Sequence, residues 1–141
     1  MVLHSHTVTK SAKETQGVGE TFGYTIPSVI CLWGDLGSGK TTFVQGLAKG
    51  LGITSRLLSP TFIIVRRYDI PTTSQQLYHM DLYRMMSASD IEGVGFSEIL
   101  TDPNAIVVIE WPERLGKLLP EKRVDIRFFV LPNEHHEIII S

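Results

Sequence analysis

One short segment of the chain restricts the fold more than any other. Gly34 to Thr42 read GDLGSGKTT, which is a glycine, four residues, a second glycine, a lysine and a threonine. In this pattern the glycines let the backbone curl so that its N–H groups point inward toward phosphate, and the following helix presents its positive N-terminal end. The lysine reaches the β- and γ-phosphates. The segment therefore predicts an α/β fold that binds a nucleoside triphosphate.

The residues on either side of this loop have the patterns that a strand and a helix require. Ser28 to Trp33 form an almost continuous apolar run, as expected for a strand covered by helices on both faces. Lys40 to Leu51 place apolar residues on one helical face, and Gly52 follows as a stop signal. These flanking patterns favour a functional phosphate-binding loop over a glycine-rich turn without a ligand.

The rest of the chain predicts strands and helices around this unit. Further strands are expected at Val2–Val8, Thr61–Tyr68, Gln75–Leu82, Ala105–Ile109, Arg123–Leu131 and His135–Ile140. Further helices are expected from the capping box at Ser11 and Glu14 to about Gly23, within Ser87–Leu100, and, as a short helix or loop, at Pro112–Leu119. Gly17 and Gly19 count against the first of these helices, because a glycine inside a helix costs about 1 kcal/mol relative to alanine.

The linkers between these elements indicate how the strands pair. Turn-forming residues at 69–74 favour an antiparallel hairpin, and Pro132-Asn133 favours a second one near the C-terminus. Ala105–Ile109 is rich in β-branched residues and is expected to be central. We predict one domain over residues 1–141 with a P-loop NTPase-like three-layer sandwich. Its mixed sheet would have parallel central strands and antiparallel hairpin additions.

Composition narrows the class of function. Hydrophobic residues make up 43% of the 141 residues and the formal net charge is -2, which argues against broad electrostatic attraction to nucleic acid. The single cysteine, Cys31, lies in an apolar run, so we expect a buried thiol and a reducing, cytoplasmic environment. The chain shows neither a secretory pattern nor a run of 18 apolar residues, so we expect no membrane association.

A phosphate loop usually works with a carboxylate at the end of a neighbouring strand, since Mg²⁺ bridges the β- and γ-oxygens and needs further oxygen ligands. Glu110 follows the apolar run at 105–109, and Asp81 ends the run at 77–81 with His79 two residues earlier on the same face. We predict that Lys40 and these two carboxylates form the catalytic set. The Thr41 hydroxyl and Glu110 are the candidate magnesium ligands.

Other residues have two readings from the sequence. Ser59-Pro60-Thr61 follows the loop helix at the distance of a γ-phosphate sensor, but is also a common turn. Trp111 either packs in the core or lies beside the nucleotide. One of four arginines can act as a transition-state cation, but the sequence does not select among them, and any one of them is also typical of a solvated face: Arg66, Arg67, Arg84 and Arg114.

Guanine specificity and a zinc site are not supported. Asp90 to Gly93 match the D-x-x-G element of GTPases, but this short pattern arises easily by chance and no N-K-x-D element is present. The histidines lack zinc-site spacing, and His135-His136 is expected to lie in a turn. ATP is therefore the expected nucleotide.

Four blocks taken together resemble one protein family. They are GDLGSGKTTFVQGLAKGLG, SPTF, LYHMDLYR and IEW, in that order. In order and spacing they resemble TsaE (YjeE), the small bacterial P-loop ATPase family of tRNA threonylcarbamoyladenosine (t6A) biosynthesis. The resemblance spans about Ser11 to Pro120, most of the chain.

The resemblance implies a site and a set of partners. ATP would bind at Asp35, Leu36, Gly37, Ser38, Gly39, Lys40, Thr41 and Thr42, with Mg²⁺ held by Thr41 and Glu110. Ser59, Thr61 and the segment His79 to Arg84 would surround the γ-phosphate, and Ser11 and Thr15 would lie by the adenine. The family acts with TsaB and TsaD, which modify adenosine 37 of ANN-decoding tRNAs. ATP hydrolysis supports turnover of that complex, and tRNA contact by this chain would be indirect or weak.

Two other functions are compatible with a phosphate loop. A small-molecule kinase usually needs an acceptor pocket and an arginine-bearing lid, for which a chain of this length leaves little room. A nucleotide-gated binding module would use ATP to control association without needing hydrolysis. The slow ATPase that is completed by partners remains the main prediction.

Overall fold

The computed structural model of the chain describes residues 5–23, 27–54, 64–85 and 87–141. Within these residues seven strands form one sheet in the order β1-β7-β6-β2-β5-β4-β3. The strands are β1 (Ser5–Thr9), β2 (Val29–Trp33), β3 (Val65–Asp69), β4 (Gln76–Asp81), β5 (Ala105–Glu110), β6 (Val124–Val130) and β7 (His136–Ile140). The helices are α1 (Ala12–Phe22), α2 (Lys40–Gly50), α3 (Ala88–Gly93), α4 (Phe96–Thr101) and a 3₁₀ helix, Pro112–Leu118.

The centre of the sheet is parallel. β2 lies between β5 and β6, and β5 also pairs in parallel with β4. All six residues of β5 are buried, as the β-branched sequence of this strand predicts. Parallel strands end at the same edge of a sheet, so the residues that follow β2, β4 and β5 meet there.

Antiparallel strands extend the sheet on both sides. β3 pairs with β4 as a hairpin, and β7 pairs with both β6 and β1. The predicted mixed sheet is confirmed, as are both hairpins. The predicted strand at Thr61–Tyr68 is described only from residue 64 onward, and the start of the predicted Val2–Val8 strand lies outside the described residues.

One face of the sheet is covered by α1 and α2, whose backbones approach closely. A Cβ atom on Gly46 would lie 1.9 Å from the Gln16 carbonyl oxygen, and one on Gly19 would lie 2.2 Å from that of Phe43. The low helix propensity of glycine alone suggests that Gly19 weakens α1. The structure shows instead that Gly19 is needed there, because it allows the close contact with α2. Gly17, in contrast, has nothing near its Cβ position.

The opposite face is covered by α3, α4 and the 3₁₀ helix, which pack on β2, β4 and β5 through apolar side chains. The predicted three-layer sandwich is therefore confirmed. Cys31 lies in this second core with no exposed surface. Burial, with a smaller contribution from Asp125, raises the pKa of its thiol to about 12, in line with the predicted buried cysteine.

Among the described residues, none of the helices is long and apolar enough to cross a membrane.

Candidate functional site

The phosphate loop follows β2 at the carboxyl edge of the sheet and depends on backbone conformations that favour glycine. Gly34, Gly37 and Gly39 have φ values of 152°, 78° and 109°. At Gly34 a Cβ atom would also lie 2.7 Å from Ser38 Oγ and 2.8 Å from the Phe128 carbonyl oxygen. Side chains at these positions would therefore strain or displace the loop.

Lys40 begins α2 and folds back over the loop. Its Nζ donates to the Gly34 carbonyl oxygen across 2.6 Å and lies 4.1 Å from the centroid of the Trp111 ring. Lys40 is only 5% exposed. Burial lowers its pKa, and the charges of Glu110 and Asp81 act in the opposite direction. The lysine is thus held between the loop carbonyl, an aromatic face and two acidic residues.

Glu110 and His79 form a buried pair on the same edge. The His79 Nε2 donates to Glu110 Oε2 across 2.5 Å, and the two residues are 1% and 5% exposed respectively. His79 Nδ1 is also buried and has no hydrogen-bond partner in the part of the chain that the structure describes. The contact fixes the orientation of the Glu110 carboxylate, as ring nitrogens commonly do for groups around a bound ion.

Asp81 is the register partner of Glu110 on the adjacent strand. Its Oδ1 accepts a hydrogen bond from the Tyr83 N–H across 3.0 Å. Burial raises the pKa of the Asp81 carboxyl, the Tyr83 N–H opposes this, and the neighbouring Glu110 adds to the increase. Both carboxylates lie at strand ends, as the sequence predicted, and the pairing of β4 with β5 places them side by side.

A cavity of about 230 Å³ opens beside the loop. Its lining includes most of the predicted phosphate-binding residues and residues from three other elements: Leu36, Gly37, Gly39, Lys40, Thr41, Thr42, Ala12, Thr15, Glu110 and His136. Asp35 and Ser38 do not line it. Ser38 is buried with its Oγ unpartnered among the described residues, and its N–H donates to the Asp35 carbonyl oxygen across 3.2 Å. The cavity has the composition expected of a phosphate site.

The family resemblance implies that Ser11 and Thr15 lie by the adenine. In the structure only Thr15 of these two lines the cavity. Ser11 caps α1 by accepting the Glu14 N–H across 3.1 Å, whereas Thr15 lines the cavity and its hydroxyl lies 2.7 Å from that of Thr9. The second half of the capping box is displaced by one residue, since Glu14 accepts from the Lys10 N–H. A contact of either Ser11 or Thr15 with a base stays a prediction.

Trp111 packs against the second core, and its predicted place beside the nucleotide stays a prediction. It is partly buried and packs against Tyr83, with ring centroids 4.8 Å apart, and its face contacts Lys40. Its φ of 60° is rare for a bulky residue, and such conformations are found disproportionately at functional sites. Ser59 and Thr61 lie outside the described residues, so their predicted place near the γ-phosphate is untested.

His136 and Ala12 line the cavity but were not predicted as site residues from the sequence. Two predictions covered His136: the strand over His135–Ile140 is confirmed for it, since it is the first residue of β7, and the turn at His135-His136 is wrong for it. Its Nδ1 contacts the Ser38 carbonyl oxygen across 2.7 Å. No motif marks this residue, because the contact joins positions 98 residues apart and depends on the strand order.

The donor set fits a magnesium ion bound together with a nucleotide. Magnesium is typically held by one or two carboxylates plus phosphate oxygens and water rather than by an all-protein cage. Thr41 and Glu110 line the same cavity, which suits this arrangement. In the described ranges, histidine, cysteine and acidic residues form no cluster of three that would hold an ion by themselves.

A phosphate loop between a central parallel strand and its following helix is the unit that defines P-loop α/β proteins, and the chain has that unit in that position. Comparison with known proteins narrows the class to one family. The family model described as threonylcarbamoyl adenosine biosynthesis protein TsaE matches residues 9–138. The chain belongs to the TsaE family, which confirms the resemblance drawn from the four sequence blocks.

Individual relatives show how far the similarity extends. The chain is 40% identical over 136 residues to the tRNA threonylcarbamoyladenosine biosynthesis protein TsaE of Treponema pallidum, covering 95% of this chain and 98% of the relative. A protein of the same name from Bacillus subtilis is 39% identical over 135 residues, covering 94% and 82%. The crystal structure of Bacillus subtilis YdiB superposes with a TM-score of 0.75 at 30% identity, covering all of this chain and 87% of YdiB.

Proposed function

We propose that the chain binds ATP with Mg²⁺ in the loop cavity and hydrolyses it slowly. We further propose that this hydrolysis supports turnover of TsaB and TsaD during threonylcarbamoylation of adenosine 37 in ANN-decoding tRNAs. One observation carries the chemical part: the sheet brings Lys40 and two strand-end carboxylates, Asp81 and Glu110, to the edge where the loop lies. Membership of a family described by t6A biosynthesis supports the biological part.

Phosphate binding would use the loop amides together with Lys40. An ammonium group has three N–H donors, so Nζ can reach a phosphate oxygen and still donate to the Gly34 carbonyl. The positive N-terminal end of α2 adds to the attraction. Because Lys40 is largely removed from water, its attraction to phosphate is screened less than that of a surface lysine.

The two carboxylates have different proposed tasks. Glu110, oriented by His79, would hold the magnesium ion together with Thr41, and the ion, when bound, neutralises charge on the β- and γ-oxygens. Asp81 would orient the attacking water. Its raised pKa makes it a stronger proton acceptor than an ordinary surface aspartate, which suits it to that position.

Reconstitution with TsaB, TsaD, tRNA and threonylcarbamoyl-adenylate tests the proposal. We expect many rounds of tRNA modification per complex with this chain and ATP present, and about one round when the chain is omitted. Equal product in both arms would contradict the role in turnover. A third arm uses a variant that binds ATP without hydrolysing it; many rounds in that arm would favour the nucleotide-gated binding module instead.

A further inference from the structure

His136 reaches the phosphate loop because of the way the sheet is ordered. β6 runs parallel to β2, and β7 runs antiparallel to β6, so β7 begins at the edge where β2 ends. His136 is paired with Val130, the last residue of β6, and with Thr9, the last residue of β1. The position of this side chain is therefore set by strand pairing on both sides rather than by a loop.

The contact between His136 and the loop has a defined direction. A carbonyl oxygen only accepts hydrogen bonds, so Nδ1 of His136 must donate to the Ser38 carbonyl across their 2.7 Å separation. The carbonyl and the N–H of one trans peptide point in opposite directions. Fixing the Ser38 carbonyl therefore fixes the direction of the N–H of Gly39, which belongs to the same peptide. Gly39 is one of the residues that line the cavity.

This part of the loop needs an external support. Glycines with positive φ lie on either side of Ser38, and glycine loses more conformational freedom on ordering than any other residue. Ser38 is 1% exposed, and its buried hydroxyl has no partner among the described residues. The imidazole ring of His136 is held by β7 and supplies a fixed N–H donor to the Ser38 carbonyl. A donor on a loop side chain would first have to be ordered, at a cost in conformational entropy.

We propose that His136 is a positioning residue for phosphate binding: its Nδ1–H holds the Ser38–Gly39 peptide so that the Gly39 N–H is directed toward the phosphates of the nucleotide. The inference rests on the proposed ATP binding and adds a residue to it. His136 contacts the loop and acts through it, since its hydrogen bond is made to the backbone. It prepares the loop before a nucleotide arrives.

The role predicts a particular pattern in nucleotide binding. Losing one oriented loop amide affects ground state and transition state alike, so His136→Ala should weaken ATP and ADP binding by about 5- to 10-fold with kcat within about twofold of the wild type. His136→Asn keeps an N–H donor on the atom that follows Cγ and should restore binding to within about twofold. His136→Leu keeps a similar volume without a donor and should resemble the alanine variant.

The matched control is His135→Ala, one residue earlier in the same hairpin. Calorimetric titration of all four variants with ATP and ADP gives the affinities, and thermal unfolding without nucleotide shows whether they fold alike. Wild-type affinity in both the alanine and leucine variants would overturn the inference. The inference would also be overturned if His136→Asn weakened ATP binding as much as His136→Leu does. If the wild type itself binds no ATP, the proposed function fails instead.

A measurement without nucleotide further separates a failure of the His136 inference from a failure of the proposed ATP binding. The amide resonance of Gly39 in a ¹⁵N–¹H correlation spectrum should shift in His136→Ala and His136→Leu, and should stay near its wild-type position in His135→Ala. This measurement concerns the loop alone and does not depend on ATP binding or hydrolysis. A Gly39 resonance that is unmoved by the loss of the histidine would show that the hydrogen bond does not position this peptide.

Discussion

The two halves of the candidate site are built by different means. The loop half, which consists of Gly34–Thr42 with α1 and α2, is shaped by backbone: glycines with positive φ and two helices in backbone contact. The carboxylate half, which consists of His79, Asp81, Glu110 and Trp111, is shaped by side chains, of which His79 and Glu110 are buried and the other two partly buried. The loop half should therefore tolerate few added atoms, whereas the carboxylate half retains charged groups at a cost to stability.

This difference suggests a division of labour. Under the proposed function, backbone amides and Lys40 would contact the phosphates of any bound nucleotide, so the loop half would set the affinity for nucleotide. The strand-end carboxylates would act on the metal and on the attacking water, which matter most in the transition state. The carboxylate half would therefore set the hydrolysis rate. Each variant below alters one half of the site and is compared with a matched control variant or with the wild type.

The largest expected effect is in the carboxylate half. Glu110→Gln keeps the volume and a hydrogen-bonding group toward His79 while removing the charge, and should lower the ATP hydrolysis rate at least about 100-fold. The comparison is Glu121→Gln, an exposed carboxylate, which should stay within about twofold of the wild type. Phosphate release with TsaB and TsaD present measures both. An unchanged rate in Glu110→Gln would remove this residue from the mechanism.

The next effect is in the loop half. Lys40→Met keeps the length of the side chain and removes its charge, and should weaken ATP binding by roughly 100-fold, because charge-assisted hydrogen bonds to phosphate are lost in a site sheltered from water. Lys49→Met, on the exposed end of the same helix, is the control and should bind normally. Titration calorimetry decides, and equal affinities in the two variants would contradict the assigned role of Lys40.

The backbone contact between α1 and α2 gives the third prediction. Gly46→Ala places a Cβ against the Gln16 carbonyl, and neither backbone can move away without separating the helices, so we expect about 3 kcal/mol of destabilisation. Gly17→Ala adds a methyl group where no atom lies within 4 Å, and should stabilise the fold by about 0.5–1 kcal/mol. Urea unfolding measures both, and similar values for the two would refute the close-contact explanation.

The smallest effect concerns the charge of Asp81. Its pKa is higher in the folded chain than in the unfolded chain, so folding favours the protonated form and the carboxylate costs stability at neutral pH. That cost disappears as the pH falls below the ordinary aspartate pKa. Asp81→Asn should therefore unfold at a higher temperature than wild type at about pH 7, with the difference shrinking toward about pH 4. A variant less stable at neutral pH would contradict this sign.

Sequence alone was sufficient for the features that are local. The loop and its flanking strand and helix follow from one continuous segment, and Glu110 and Asp81 follow from their positions at the ends of apolar runs. Their closeness does not follow from the sequence, because it depends on β4 and β5 being parallel neighbours, which the structure shows. The family blocks then supplied an identity that the family comparison confirmed.

Features that depend on the order of the strands or on the approach of two helices could not be predicted from the sequence. The hairpin that contains His136 was predicted, but nothing in the sequence shows that β6 lies beside β2, which brings the start of β7 to the phosphate loop. Gly19 looked like a cost, because the partner that makes it necessary belongs to another helix. The His79 contact with Glu110 joins residues 31 positions apart, and strand periodicity gave only the face on which His79 lies.

The most direct test of the division between the two halves is the dissociation constant of ATP for Glu110→Gln, measured by calorimetry beside Lys40→Met and wild type. We predict that Glu110→Gln binds ATP within about fivefold of wild type while Lys40→Met loses roughly 100-fold, since the first would alter the transition state and the second the bound nucleotide. A loss of affinity in Glu110→Gln as large as that in Lys40→Met would contradict the account, because the two halves would then contribute equally to nucleotide binding.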